Sequence, residues 1–479
     1  MDRQHQVQLL IIKPTRIMRK ISLIAALGAM LFAGACKKYV EGEDISPNVP
    51  ANAPPPLILS ASELAVFANY GGNMGRIASM WAQQSAGCLF QSEANDQYQV
   101  DESDIGNEWS VIYIQGMKNL KVLREKAGAA NPHYQGISNV LTALLLGTAT
   151  DFWGDVPYSD AFKGEELQYA AAYDKQQDVL NTIQTLLSDG INQLKSSDNV
   201  ILPGSDDFIY GGDAGSWIGF AYLLKARYHM RTSKRDATWH TKALAAVDSA
   251  KANGFTDGAA DANCLFGTNA NEYNQWYAFS RINRRNYIKA NKNFTDLMNG
   301  LNDPRRSFYF TKNDSGKYEG SVLGSSNTRN VSEIGTYFAS ANSPTPIATY
   351  AELCFIESEA ALAAGNKTRA AQAHNDGVIG HLTKVTGSAD AAYVAANASE
   401  TAASIDLNKI MTQKYIAGYT MLEPYHDWRR TGLPALVKNP RSNLSGIARR
   451  LPTSIDERLY NNKATVVNNL LEPVWWDAP

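Results

Sequence analysis

The sequence predicts a mainly α protein, a scaffold of helical hairpins decorated with long loops. Three observations carry that expectation. Apolar residues recur at helical spacing in paired stretches of similar length. Small residues, Ala221, Ala246, Ala360 and Ala363, stand where neighbouring helices would cross, and strict apolar–polar alternation, the mark of strands, is weak.

In chain order, Leu64–Trp81 reads as one helix and Trp109–Ala127 as another, with Trp109, Ile112, Tyr113, Leu120 and Leu123 on one stripe. Between them, Gln83–Asn107 is a polar loop rich in Gln, Asn, Asp and Ser, a length that is usually functional or disordered. Leu141–Ala149 reads as a buried helix that must end before Pro157, because proline drives Val156 out of helical geometry. The stretch ATDFWGDVPYSDAF, Ala149–Phe162, then forms an ordered corner. Trp153 and Tyr158 would be its anchors, and Asp151, Asp155 and Asp160 its acceptors.

Tyr173–Leu194 is a helix N-capped by Asp174, burying Leu180, Ile183, Leu187, Ile191 and Leu194. Ser216–Arg231 and His240–Asn253, the latter stopped by Gly254, come next, with Trp217 and Trp109 as core residues. Thr349–Ala364, Thr368–Thr386 and Leu407–Tyr419 repeat the theme. The pairs look like tetratricopeptide-type hairpins, although no strict repeat is visible. The decorating loops are Asp257–Arg285, Asp303–Thr345 and Glu423–Pro479.

The N-terminus has a different character. Arg19 and Lys20 precede an apolar run, Ile21–Phe32, followed by Ala33-Gly34-Ala35-Cys36, which reads as a secretory signal over residues 1–35 with Met18 as the initiator. The run of about a dozen residues is too short to span a bilayer. Cys36 after small residues resembles the lipobox of bacterial lipoproteins, in which that cysteine is lipidated; Ala33 stands where leucine is usual. Residues 36–56, with five prolines, read as an extended tether, and residues 57–479 as a single helical domain.

Residues 1–35 hold five basic residues and one acidic residue, so the chain from Cys36 carries 40 basic and 46 acidic residues, a net charge of −6. That balance argues against nucleic acid as a partner. Cys88, Cys264 and Cys354 are an odd set without a C-x-x-C pair, neither a disulfide framework nor a metal site. The chain has no HExxH, GxSxG, P-loop or Rossmann glycine pattern, and Asp427 beside Arg429 and Arg430 reads as a structural ion-pair cluster. We expect no catalysis, no cofactor and no metal.

Binding is better supported. A glycan site needs aromatic platforms for the C–H faces of sugar rings, with neutral amides and a few charges around them. Trp276 and Tyr277, with Asn274 and Arg281 beside them, have that composition, and Trp81 with Asn95 and Tyr98 forms a second candidate cluster. The alternative for each is an aromatic packed beneath its own loop, with the amides satisfying turn backbone.

Several stretches together resemble the SusD/RagB family of surface lipoproteins. They are the lipobox at Cys36, ATDFWGDVPYSDAF, LLKARYHMR, the Asp303-Pro304-Arg305 turn and YAELCFIESEAALAAG, followed by YHDWRRTGLP, IARRLP and the terminal Val474-Trp475-Trp476-Asp477. Thr453-Ser454 stands where the family often has Tyr-Pro. The resemblance implies a tetratricopeptide-like scaffold without catalysis, lipid-anchored in the outer membrane and facing the exterior. It also implies capture of oligosaccharides for a SusC-like TonB-dependent transporter. Capture of peptides or another nutrient, or a scaffold without a small ligand, are the alternatives.

Overall fold

A computed structural model describes residues 53–478; the signal segment and Cys36 lie outside the described residues. Helix α1 begins at Pro55, inside the expected tether, and runs to Tyr70. Proline is tolerated there because the first-turn amides have no intrahelical acceptor in any case. The expected single helix over Leu64–Trp81 is broken at Gly71-Gly72, and α2 resumes over Asn73–Trp81.

The expected polar loop after it is structured, with strand β1 (Ser85–Gly87) and helix α3 (Phe90–Asp96). Helix α4 (Gly106–Ser110) passes through a π-helical segment, Val111–Lys118, into α5 (Asn119–Ala127). All five expected stripe residues of this stretch are buried.

Two long helices follow, α6 (Pro132–Trp153) and α7 (Gln176–Leu194), then α8 (Ala214–Arg231) and α9 (Trp239–Ala252). Helices α6 and α7 pack as a hairpin, as do α8 and α9, and α7 also packs on α8. Gly136 and Gly190 allow the first crossing: a Cβ on Gly136 would lie 2.7 Å from Leu194 Cγ and 2.9 Å from the Gly190 carbonyl. Trp217 and all five expected residues on α7 are buried.

After strand β2 (Ala262–Cys264) come a single turn, α10 (Gln275–Tyr277), strand β3 (Ile288–Ala290), and helices α11 (Lys292–Gly300) and α12 (Arg306–Tyr309). Strand β4 (Thr345–Ala348) pairs antiparallel with β2. A third hairpin, α13 (Tyr350–Ala363) with α14 (Lys367–Thr386), packs through α13 on α9. Helix α15 (Ala391–Asn397) lies against α14, and α16 (Leu407–Ala417) against α13; the short helices α17 (Glu423–Thr431) and α18 (Ile455–Tyr460) complete the chain. Ala221, Ala246 and Ala360 are buried as expected, but Ala363 is exposed at the end of α13, beyond the crossing.

The corner at Ala149–Phe162 joins this array to the C-terminal segment. Gly154, at φ 82°, ends α6. Trp153 is buried and donates its indole N–H to the Pro452 carbonyl at 2.7 Å. Asp174 is not the cap of α7. It lies in an extended bridge with Val156, and its carboxylate accepts the Tyr158 and Ser159 amides instead; Asp155 takes the Gln176 amide at 2.9 Å.

Four sequence-distant stretches meet in one buried charge network. Arg227 is bidentate to Glu352 at 2.7 Å; Arg231 reaches Asp151 at 3.0 Å and Glu423 at 2.6 Å. Asp427 does pair with Arg430, at 2.9 Å, and also with Lys414 at 2.8 Å. Arg429 turns away from it, over the rings of Tyr425 and Trp476. Cys354 is a small buried core residue.

Candidate ligand-binding site

The two stretches singled out for glycan contact are brought together by a two-stranded sheet. Strand β1 pairs antiparallel with β3 in the register Ser85↔Ala290, Ala86↔Lys289, Gly87↔Ile288. The Cys88 amide extends the pairing to the Tyr287 carbonyl at 2.8 Å. Gly87 is required at the end of β1, because a Cβ there would sit 1.8 Å from the Ser92 carbonyl oxygen in the helix that folds back over it.

The residues named from sequence are mostly not on the surface. Trp276 is 1% exposed and Asn274 fully buried. Asn274 caps its own turn by accepting the Tyr277 amide, and donates to the Ser343 carbonyl at 2.7 Å. Tyr277 is half-buried, edge-on to Tyr273, and Arg281 is taken up by Glu333 and the Ile334 carbonyl. Trp81 is fully buried, with its indole N–H on the Asn95 carbonyl and its ring between Tyr98 and Tyr425. Asn95 and Tyr98 are buried with it.

Trp276, Asn274, Trp81, Asn95 and Tyr98 therefore support the loops and are not exposed platforms. The cause is area: an indole or phenol ring is large enough to be the core of a loop that has no other.

One exposed ring, with half-buried rings beside it, lies a few residues away in sequence. Phe90, the first residue of α3, is 71% exposed and held at φ 49°. Its ring stacks on half-buried Tyr287, with centroids 5.1 Å apart and planes at 29°. Phe279 meets Tyr287 edge-on at 6.0 Å, and the Arg76 guanidinium lies 4.2 Å above the Phe279 ring. The Arg284 guanidinium lies 5.8 Å above the Tyr287 ring, and Gln91, Asn283 and Arg285, next to these residues in sequence, are exposed. Glu93 holds Arg441 at 2.6 Å and Ser326 at 2.7 Å on its other flank.

A positive φ on a bulky residue is a strained arrangement that surrounding structure must hold. Here it turns Phe90 outward where an ordinary core would bury it. Phe90 was legible only as an aromatic within a polar loop, and Tyr287 lies just beyond the expected loop boundary at Arg285.

At the end of α3, Asp96 is buried and accepts the Asn439 side-chain amide at 2.6 Å; desolvation pushes its carboxyl up to about 7. On the far side of the 275–279 turn lies a groove of about 940 Å³, walled by Leu64, Phe67, Phe266 and Tyr273, with Asn271 and Gln275 at its edge.

The described residues thus form an array of helical hairpins whose loops bring Phe90 and Tyr287 into a stack. The chain belongs to the SusD/RagB family: residues 47–452 match the SusD-like family described as starch-binding and associating with the outer membrane. Members of that family are binding proteins.

Solved structures share the fold. A SusD/RagB family protein from Bacteroides thetaiotaomicron is 23% identical, with 89% of this chain and 99% of that one covered and a TM-score of 0.71. A chitin-binding protein is 24% identical over 89% of this chain and 100% of its own, with a TM-score of 0.75. A chitin-binding SusD homolog from Flavobacterium johnsoniae is 22% identical over 88% and 98%, with a TM-score of 0.74. No curated protein matches the sequence.

Proposed function

We propose that this protein is a lipid-anchored, outward-facing outer-membrane protein that captures oligosaccharides on the Phe90–Tyr287 platform. It delivers them to a SusC-like TonB-dependent transporter. The observation that carries the ligand class is the stack of exposed Phe90 on half-buried Tyr287, with the Arg284 guanidinium over the Tyr287 ring and exposed Gln91 next to Phe90 in the chain. Stacked rings offer faces to sugar C–H groups, and the amide and guanidinium groups can bond hydroxyls in several geometries. The family description as starch-binding supports the same class.

Two or three ring contacts of about 0.5–1.5 kcal/mol each add only a few kcal/mol to hydroxyl contacts. The affinity expected is in the range of about millimolar to micromolar. That suits a protein that must release its ligand to a partner.

Affinity electrophoresis in gels containing starch or a soluble chitin derivative tests the platform. A Phe90→Ala, Tyr287→Ala double variant should migrate unretarded while still melting in one cooperative transition. Equal retardation of the variant and the wild type would remove the platform from this role, and peptide binding with a blank glycan panel would change the ligand class.

The anchor rests on Cys36. One acyl chain gives only marginal attachment, and the diacylglyceryl group of a lipobox cysteine supplies the second signal. Cys36→Ala should release a folded protein from the membrane fraction; retention after alkaline washing would exclude the anchor. Co-purification of a large β-barrel protein with the wild type is the expected sign of the transporter.

A further inference from the structure

A second cavity, of about 570 Å³, lies on the outer side of the corner at Ala149–Phe162. Its walls are the π-helical segment Val111–Lys118, the loop over residues 157–171 and the start of α18. Its volume falls within the roughly 300–1,000 Å³ of small-ligand sites. It shares no residue with the Phe90–Tyr287 platform.

Four independent features make this cavity more than a packing gap. First, rings line it in a ladder: Trp109 stacks on Tyr113 at 4.4 Å, and Tyr113 on Phe162 at 6.2 Å with planes at 29°. Second, the Tyr113 ring lines the cavity while its hydroxyl is buried without a hydrogen-bond partner among the described residues. A buried hydroxyl left unpaired is costly and calls for a partner, such as a water or a ligand in the adjoining cavity.

Third, Tyr113 sits in the π-helical segment, a rare geometry that is frequent at functional sites. Fourth, the opposing loop holds Phe162 at φ 63° and Leu167 at φ 59°, and presents Tyr169 at 77% exposure with no core to pack on. Strained non-glycine residues of this kind cluster at ligand clamps.

The charges select the ligand. Three lysines and five carboxylates line the cavity, so an anion would meet net repulsion. Two of the lysines are already engaged, Lys121 with Glu125 at 2.6 Å and Lys163 with Asp160 at 2.8 Å. What is left is a set of aromatic and aliphatic surfaces, carboxylate acceptors such as Glu165 and Asp456, and the Lys118 ammonium as a donor. A neutral polyhydroxylated ring matches both halves of that set, since each hydroxyl can donate and accept and each ring has a C–H face.

We propose that this cavity is a second saccharide-binding site, taking one or two neutral sugar rings against the ladder of Tyr113 and Phe162 and the exposed ring of Tyr169. With the platform, it would let one molecule hold a long glycan at two points, raising avidity without a new contact at either.

Hydrogen exchange of the full chain, with maltotriose and with chitotriose at about 10 mM, well above a millimolar Kd, tests it. The expected result is slowed exchange over residues 157–171 and 111–118, retained in the Phe90→Ala, Tyr287→Ala variant and abolished in a Phe162→Ala, Tyr169→Ala variant. Protection confined to residues 84–97 and 278–290 would overturn the second site and leave the platform standing. Protection of 157–171 alone would do the reverse, and no protection in either region with both sugars would overturn both.

Discussion

The indole nitrogen of Trp153 donates to the carbonyl oxygen of Pro452, 299 residues further along the chain, at 2.7 Å. This bond ties the end of α6 to the C-terminal segment. Arg450 reinforces it by donating to the Trp153 carbonyl, and the Leu451 amide donates to the Phe152 carbonyl at 2.9 Å.

Trp153→Ala should therefore lower stability by about 3–5 kcal/mol, the range for a buried aromatic. Trp153→Phe keeps most of the ring and loses the bond, and should cost about 1–3 kcal/mol, because the Pro452 carbonyl is left unpaired. Urea denaturation measures both. Glycan affinity at the Phe90–Tyr287 platform should be unchanged in the folded protein, and an affinity loss without a stability loss would place the corner in that binding site.

The buried network around Arg231 predicts strong non-additivity. Arg231→Leu strands Asp151 and Glu423 without their main partner and should cost about 3–5 kcal/mol. Adding Asp151→Leu removes one stranded charge and should recover part of that loss. A double-mutant cycle by chemical denaturation reads the coupling, and simple additivity would show that Asp151 and Arg231 do not depend on one another.

Gly87→Ala tests how the platform is held. A Cβ at that position must push α3 outward, since the Ser92 carbonyl is 1.8 Å away. Overpacking of this kind costs about 1–3 kcal/mol. We expect glycan retardation to fall along with stability, whereas the helical array should keep its far-ultraviolet circular dichroism.

Asp96, at the end of α3, makes stability depend on pH, with a sign set by its burial. Its carboxyl is raised from 3.8 to about 7 in the folded protein by burial, so the folded state holds the proton more tightly than the unfolded chain. The resulting contribution to stability is full below about pH 4 and is lost as the pH rises through about 7. Between those limits the slope is about 1.4 kcal/mol for each step of one in pH. Asp96→Asn keeps an acceptor for the Asn439 amide and cannot ionise. Stability measured from pH 4 to pH 8 should fall more steeply in the wild type than in this variant, and parallel profiles would show that Asp96 ionises normally.

The helical part of the fold was legible because burial follows the 3.6-residue period. The α7 stripe and the helices α8, α9, α13, α14 and α16 lie within a few residues of their expected bounds. Helix ends are not encoded locally where a side chain from elsewhere does the capping, as Asp155 does for α7 in place of Asp174.

The candidate site was legible only by region. The sequence marks residues 81–98 and 274–281 as aromatic and amide-rich, but composition cannot say which ring of a pair faces water. Long-range pairing decides it.

By itself, then, the sequence determines the helical array, its apolar stripes and the family to which the chain belongs, because local periodicity and motif order are properties of the chain alone. Only the tertiary structure decides that Trp81 and Trp276 are buried while Phe90 and Tyr287 form a surface. That outcome depends on β1 meeting β3 some two hundred residues later and on the steric limit at Gly87, neither of which any local pattern encodes. The same holds for the charge network, where Asp151, Arg231, Glu352 and Glu423 acquire partners only when four distant helices pack together.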